Sequence, residues 1–282
     1  MAKIIGGLGT SHIPAIGGAI HKGLQQEPYW KPFFDGFPPV QQWLGKVKPD
    51  VVVMFYNDHG LNFFLDKMPT FAVGAAALYN NADEGWGIPT LPPFKGEVDL
   101  SWEIINHLVD QEFDVTTCQE MLVDHACTLP LKLFWPEGDC PVTVVPVCIN
   151  TVQFPLPHAR RVFALGHAVG EAVAAWNSDK KVAFVASGGL SHQLEGERAG
   201  FINKEFDLQF LQSLETNPAW ATQFSIHELV EKTGTQGIEL LAWLAMRSAL
   251  SAGANSGVRK VHSNYHIPIS NTATGLLALE TF

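Results

Sequence analysis

The sequence has 282 residues, 46% of them apolar, so it can bury a substantial core as one large domain or two small ones. With 18 basic and 28 acidic side chains, its formal net charge of −10 argues against nucleic acid or anionic lipid as a partner and leaves a small molecule as the default ligand. Four cysteines without C-x-x-C or zinc-finger spacing, and no stretch typical of a signal peptide or membrane span, predict a cytoplasmic protein with reduced thiols.

Three predicted strands are each followed within a few residues by a histidine. Apolar runs of this length, rich in β-branched residues, are typical of strands buried on both faces in a parallel or mixed α/β sheet. Ligands of such sheets bind beyond the carboxyl ends of the strands, so we expect the histidines to lie near a site. The pairs are Lys3–Leu8 with His12, Val51–Tyr56 with His59, and Val182–Ser187 with His192.

The other predicted elements alternate between strands and helices with no linker or internal repeat. We therefore predict a single α/β domain over residues 1–282, with a central mixed sheet flanked by helices. Pro146 argues for an edge or bulge in its strand, and two proline-rich stretches, Pro28–Pro39 and Asn80–Lys95, are predicted to be largely irregular. Further strands are predicted at Met68–Val73, Val142–Val147 and Gly275–Leu279, and helices at about Val40–Leu44, Asp99–Asp110, Ala159–Trp176, after Asn203, and at Ile238–Leu250.

Glu239 is the most informative single residue because it begins an apolar helix. Its helical neighbours Trp243, Met246 and Leu250 form a stripe that should face the core, and a buried carboxylate requires a partner such as a metal or a base. The alternative is a simple interaction with the helix dipole. With His12 and His59, Glu239 would complete the two-histidine, one-carboxylate set of non-haem Fe(II) oxygenases, although each histidine alone is more typical of a polar core or loop position.

His192 and His125 are candidate catalytic residues outside that set. A neutral imidazole beside a metal centre can take and return a proton near physiological pH. His192 follows a Gly-Gly hinge after a strand. For His125 an equally good interpretation is an imidazole held by a backbone or carboxylate partner without a catalytic role.

Six motifs occur in an order that resembles a known family. They are Ser11–Pro14, Tyr56–His59, Ala82–Gly87, Val123–His125, Ser187–Leu194 and Ile269–Thr272. Over nearly the whole chain the sequence resembles the catalytic β subunits of protocatechuate 4,5-dioxygenases, within the class III (LigB-type) extradiol ring-cleavage dioxygenases. Several matched motifs in order are far more specific than any one of them.

The resemblance implies a cofactor, a reaction and roles for eight residues. Non-haem Fe(II) would be held by His12, His59 and Glu239, with O2 as co-substrate. The implied reaction opens an aromatic ring beside its two hydroxyls, with protocatechuate giving 4-carboxy-2-hydroxymuconate semialdehyde. His192 would be the acid–base residue, while Asn57, His125, Ser270 and Asn271 would line the substrate site, the last two near a ring carboxylate.

Several alternatives remain open from the sequence. Gallate, 3-O-methylgallate or 2-aminophenol could be the preferred substrate, because a few pocket contacts decide one ring substituent. A non-catalytic subunit of the same fold should lack a metal ligand, and none is missing here. A zinc-dependent hydrolase could use the same ligand types, although the matched motifs favour iron.

A partner subunit is the last expectation. Phe282 follows the predicted final strand by only three residues, which leaves no sequence to cover the sheet end. In the family that the chain resembles, a small helical α subunit covers this entrance, so an α2β2 assembly is expected. Its candidate contacts are the aromatic-rich segments Tyr29–Phe37 and Asp83–Phe94.

Overall fold

The computed structural model describes residues 1–85, 91–253 and 257–282. These residues contain eleven strands. The first, second and ninth are the three strands predicted to precede a histidine, and β2 is buried along its whole length. In chain order the strands are β1 (Lys3–Thr10), β2 (Val51–Tyr56), β3 (Phe71–Gly74), β4 (Leu78–Asn81), β5 (Phe94–Lys95), β6 (Thr116–Cys118), β7 (Leu122–Val123), β8 (Thr143–Ile149), β9 (Lys181–Ser187), β10 (Val258–Ile269) and β11 (Thr272–Thr281).

Eight of these strands form one mixed sheet in the order β10-β11-β1-β9-β2-β8-β3-β6. The four central strands, β1, β9, β2 and β8, run parallel to their neighbours in this group. Strands β11 and β10 add an antiparallel hairpin on one side, and β3 pairs antiparallel with β8 on the other. The carboxyl ends of the four central strands therefore meet at one edge of the sheet. A separate small sheet has the order β5-β4-β7.

Helices cover both faces of the large sheet. Alternate residues of β2 enter two apolar cores: Val53 and Phe55 pack with residues of α4, α6 and α9, whereas Val52 and Met54 pack with residues of α1, α3 and α5. This two-faced packing is the reason that β2 is apolar at every position. The helices are α1 (Pro14–His21), α2 (Lys31–Phe34), α3 (Phe37–Val47), α4 (Val98–Asp110), α5 (His125–Phe134), α6 (Ala159–Ala175), α7 (Lys204–Thr216), α8 (Ile226–Thr233) and α9 (Leu240–Ala249).

The structure corrects two predictions about proline. The strand with Pro146 was predicted at an edge or bulge, but β8 lies inside the sheet between β2 and β3. Pro146 is tolerated because the ladder to β3 reaches only from Ile149 to Val147. The stretch from Pro28 to Pro39 is largely helical rather than irregular, because Pro32 lies in the first turn of α2 and Pro38 and Pro39 lie in that of α3, where an amide hydrogen is not needed.

Three further details differ from the sequence prediction. Asp99 lies in the first turn of α4, and the N-cap residue is Glu97. The loop predicted at Asn80–Lys95 carries strand residues at both ends, and its residues 86–90 lie outside the described part of the chain. The segment before the last strand forms β10, for which no strand was predicted. The predicted cap Asn203 does accept a hydrogen bond from the Phe206 amide.

The four cysteines are free thiols in this fold. Cys118, Cys127 and Cys148 are buried, and Cys140 is partly buried. Within the described residues, no helix is both long and apolar enough to cross a membrane.

Candidate metal centre and active site

One cavity of about 970 Å³ opens at the sheet edge where the parallel strands end. It is lined by His12, which follows β1, by His59, which follows β2, and by His192, which follows β9. Thr151, after β8, also lines it. Glu239 reaches the same cavity from the short turn Gly237–Glu239 that precedes α9. The parallel sheet thus brings together residues that are far apart in sequence.

His12, His59 and Glu239 converge on one point. Glu239 Oε1 lies 3.5 Å from His12 Nε2 and 3.5 Å from His59 Nε2. These separations exceed ordinary hydrogen-bond distances. They approach the spacing of about 3.0–3.4 Å between two ligands that each lie about 2.1 Å from one metal ion. The donor atoms therefore have a spacing suited to a shared cation.

Each donor group is held by a partner on its far side. His12 Nδ1 lies 2.7 Å from Ser187 Oγ, and His59 Nδ1 lies 2.8 Å from Asp124 Oδ2. The Gly189 amide donates to Glu239 Oε2 at 2.7 Å. Partners on the second imidazole nitrogen orient metal-binding histidines and leave Nε2 for the metal.

Gly188 allows Glu239 to approach the end of β9. A Cβ atom at this position would lie 2.8 Å from Glu239 Cβ and 3.0 Å from its backbone oxygen. The Gly188-Gly189 pair, predicted as a hinge, therefore serves close packing as well. Glu239 is 6% exposed and its side chain does not cap α9, so its carboxylate is directed to the histidines and to Gly189 rather than to the helix end.

The electrostatics of this cluster favour a cation. Burial alone would lower the pKa of His59, but the Asp124 and Glu239 carboxylates raise it to about 10. Burial alone would raise the pKa of Glu239, but the His12 and His59 imidazoles hold it well below its usual range. Burial likewise opposes ionisation of Asp124, yet His59 lowers its pKa to about 2. Two buried carboxylates thus stabilise positive charge here, which fits a divalent metal ion.

Two residues compete for the third ligand position, and donor spacing and charge favour Glu239. His125 is a geometric alternative, since nitrogens of His12, His59 and His125 lie within 4.8 Å of one another. Glu84 holds Nδ1 of His125 just as Ser187 and Asp124 hold Nδ1 of His12 and His59, so the hydrogen bonds alone do not separate the candidates. A carboxylate oxygen equidistant from both other donors is the better ligand, and it gives the two-histidine, one-carboxylate set that suits non-haem iron.

His192 is oriented for proton transfer. Its Nδ1 lies 2.9 Å from the Leu190 carbonyl oxygen, which can only accept, so Nδ1 carries a hydrogen and Nε2 of the neutral ring is an acceptor. Its backbone amide donates to the Thr233 carbonyl at 2.7 Å, which fixes the residue at the cavity wall. His192 is 6% exposed. The ring can take a proton from a bound ligand.

His125 packs against both histidines of the cluster. Its ring stacks on His59 with the centroids 4.4 Å apart and meets His12 edge-on at 5.3 Å. Burial lowers the pKa of His125. The ring lines the cavity, so a ligand beside the metal ligands would touch it.

The residues expected to bind substrate have different positions. Ser270 lines the cavity from the β10–β11 turn, where Ser270 and Asn271 have φ angles of 48° and 60°. Asn271 is in that turn but is exposed and outside the cavity lining. Asn57 is 2% exposed, and its amide donates to Glu239 Oε1 at 3.2 Å instead of facing the cavity.

The cavity also contains residues that the sequence did not single out. Thr151 Oγ1 and Gln193 Oε1 are buried without a hydrogen-bond partner among the described residues. None of the described lining residues is a lysine or arginine. The supporting residues Ser187 and Glu84 were also missed as partners, although both lie in quoted motifs, because contacts across the fold leave no local pattern.

The chain belongs to the family whose model is described as the catalytic LigB subunit of aromatic ring-opening dioxygenase. That model matches residues 6–275. It spans β1 to β11, and hence all of the cavity residues described above. The family resemblance is therefore confirmed at this level.

Curated relatives carry two different activities in their names. A gallate dioxygenase of Pseudomonas putida is 39% identical over 200 residues, which cover 71% of this chain and 57% of that protein. A 2,3-dihydroxyphenylpropionate/2,3-dihydroxicinnamic acid 1,2-dioxygenase of Xanthobacter autotrophicus is 28% identical, covering 80% of this chain and 84% of that protein. Its counterpart from Azotobacter vinelandii is 29% identical with the same coverage. The chain thus spans little more than half of the gallate enzyme.

Proposed function

We propose that the chain is an Fe(II)-dependent dioxygenase that opens a carboxylated catechol beside its two hydroxyls. The proposed substrate is protocatechuate and the product is 4-carboxy-2-hydroxymuconate semialdehyde. The observation that carries the proposal is the convergence of His12, His59 and Glu239 in a cavity that His125 and His192 also line. Membership of a ring-opening dioxygenase family supports the reaction class.

Iron is proposed over zinc on chemical grounds. Two imidazoles and one carboxylate suit either metal, but zinc has no redox chemistry to offer a reaction with O2. When bound there, Fe(II) would supply a Lewis acid for the catechol hydroxyls and a redox-active centre for O2. His12, His59 and Glu239 would occupy one side of it and leave the cavity side for substrate.

His192 is proposed as the acid–base residue. Its Nδ1 hydrogen is committed to the Leu190 carbonyl, so Nε2 can accept a proton from a catechol hydroxyl and return it as the ring opens. Ile13, Pro14 and Leu156 contribute apolar wall to the cavity. Such walls exclude water and strengthen the hydrogen bonds inside.

A ring carboxylate would be held by neutral groups. We propose Ser270 and Asn271 for this role, because their turn lies at the cavity edge and the described lining holds no basic side chain. The position of Asn57 supports a role in holding Glu239 instead of contacting substrate. The gallate dioxygenase relative, named for a carboxylated ring, is consistent with this substrate class.

The test is a reconstitution assay. Protein purified without oxygen is loaded with Fe(II) and mixed with protocatechuate and O2, and we expect one O2 consumed per ring opened. The Zn(II)-loaded protein is the matched control and should be inactive. Gallate, 3-O-methylgallate, 2-aminophenol and unsubstituted catechol complete the panel. Faster turnover of another compound would reassign the substrate, and no turnover at full iron occupancy would favour the non-catalytic alternative.

We further propose that the protein acts in the cytoplasm with a small helical α subunit, as α2β2. The free thiols are consistent with a reducing compartment. Phe33 and Phe37 pack in the core, so within the Tyr29–Phe37 segment the half-exposed Tyr29 is a better candidate than either, while part of the Asp83–Phe94 segment lies outside the described residues. The cavity rim adds Val152 and Phe154, each 50% exposed. Light scattering of the chain alone and co-expressed with such a subunit tests this, and a monomer in both cases would contradict it.

A further inference from the structure

Glu84 contacts His125 with both of its carboxylate oxygens, although the proposed reaction assigns it no role. Oε1 accepts a hydrogen bond from the His125 backbone amide at 2.7 Å. Oε2 lies 2.5 Å from the ring nitrogen Nδ1. The two side chains are only 8% and 1% exposed. Both carboxylate oxygens thus contact one residue that lines the cavity.

The small sheet is the element that delivers Glu84 to this position. Strands β4 and β7 pair in parallel, with Asn81 opposite Val123. The Ala82 amide extends the pairing by donating to the Val123 carbonyl at 2.8 Å. Glu84 follows this point by two residues, and His125 follows Val123 by two. The register therefore fixes both residues relative to each other.

The hydrogen bonds around His125 show which nitrogen of its ring carries the hydrogen. His125 is the first residue of α5, whose N-cap side chain, Asp124, accepts from the Ala126 amide and leaves the His125 amide to Glu84. A carboxylate offers acceptor oxygens, and Oε1 already accepts from the His125 amide. Nδ1 of His125 must then carry the hydrogen. In the neutral ring, Nε2 on the opposite side is the acceptor.

The same arrangement sets the plane of the ring. His125 stacks on His59 with an interplanar angle of 27°. A carboxylate holds each ring of the stack: Asp124 contacts His59 Nδ1, and Glu84 contacts His125 Nδ1. Loss of the second support would leave the His125 ring able to rotate about its Cβ–Cγ bond or change tautomer.

We propose that Glu84 is a positioning residue that fixes the orientation and the Nδ1–H tautomer of His125, so that Nε2 accepts a hydrogen bond from a substrate hydroxyl. The substrate part rests on the proposed function, whereas the tautomer part does not. E84Q is the informative variant, because glutamine offers one acceptor oxygen to two donors. Asp83→Asn is its matched control: it removes the same charge one residue away, at an exposed side chain that, within the described part of the chain, accepts a hydrogen bond from the Gly85 amide.

The experiment has two arms: spectra of the metal-free protein, which need no turnover, and kinetics of the Fe(II)-loaded protein. In metal-free protein, ¹⁵N imidazole spectra assigned with His125→Ala should show the Nδ1–H tautomer in the parent and in D83N, and its loss in E84Q. With Fe(II), E84Q should raise the KM for protocatechuate about 10- to 100-fold at unchanged iron content. In the His125→Ala background, E84Q should add nothing.

Opposite results overturn the proposal in distinct ways. An unchanged His125 tautomer in E84Q refutes the positioning role, and a kinetic effect of E84Q that persists without His125 assigns Glu84 to general stability. If E84Q does not fold, E84D keeps the charge, is one methylene shorter and is read in the same two arms. A parent that opens no ring refutes the proposed function while the tautomer arm still decides the role of Glu84.

Discussion

Replacement of Gly188 by alanine should displace a proposed metal ligand without removing it. The added Cβ would lie 2.8 Å from Glu239 Cβ, about 0.6 Å inside the 3.4 Å at which ordinary contact begins. The other close atoms are the backbone oxygen and carbonyl carbon of Glu239, at 3.0 and 3.2 Å, so no rotamer change relieves the overlap. The turn that carries Glu239 must move away from β9.

This displacement has an expected magnitude. Overpacking of this kind costs about 1–3 kcal/mol of unfolding free energy. A ligand moved by about half an ångström also exceeds the tolerance of a preorganised site, so we expect iron affinity to fall about 10- to 100-fold. Turnover at saturating iron should fall as well.

The assay compares Gly188→Ala with Gly45→Ala. Gly45 is exposed on α3, and a Cβ there would have open space around it. That control should keep iron binding and gain about 0.5–1 kcal/mol, because alanine is the better helix former. Urea unfolding gives the stability of each protein, and anaerobic Fe(II) titration by calorimetry gives the affinity. Parent-like iron affinity in Gly188→Ala would refute the reasoning that this glycine permits the approach of Glu239.

Three further variants test separate parts of the structure. Glu239→Ala should lose iron yet stay folded, and stoichiometric iron with normal turnover would disprove that ligand. His192→Ala should keep iron but lose about 10²- to 10⁴-fold in turnover, and loss of iron would recast it as a ligand. Burial raises the pKa of Asp207 above its ordinary 3.8 despite hydrogen bonds from Ser191 and Tyr265. The stability that protonated Asp207 contributes is therefore full below pH 3.8 and is lost as the pH rises through the higher pKa of the folded state. The stability of the parent relative to Asp207→Asn should therefore decline with rising pH in urea unfolding, and a pH-independent difference would contradict this.

The strands that position the site could be predicted from the sequence because a run of apolar residues is a local pattern. Val51–Tyr56 is apolar at every position, which only burial on both faces explains, and a parallel arrangement then places His59 at the same edge as His12. Glu239 could be singled out because a carboxylate begins an otherwise apolar helix. It lies at the helix start, as the alternative interpretation required, but its buried carboxylate is directed to the histidines and to Gly189 rather than to the helix end.

Other features depend on partners that are distant in the chain. Pro146 was assigned to an edge or bulge because proline cannot donate to a ladder, but the ladder to β3 stops at Val147, one residue away. The two-residue strand Leu122–Val123 is too short to show any periodicity, yet its register brings Glu84 to His125. Asn57 follows a strand in the same way as His59, but His59 lines the cavity whereas the Asn57 side chain donates to Glu239. The sequence does not show this difference in side-chain direction.

The origin of the proposed ligands in distant segments links metal affinity to folding. His12 and His59 follow two strands that are separated in the sheet by β9, and Glu239 precedes a helix near the other end of the chain, so the three donors meet only after the parallel sheet has formed. The unfolded chain has no such site, so a metal ion binds the native state alone. At a free concentration 100 times its dissociation constant it would then stabilise the fold by about 2.7 kcal/mol. Metal binding would therefore stabilise the whole sheet against unfolding, and a rise in melting temperature would report that binding without any turnover.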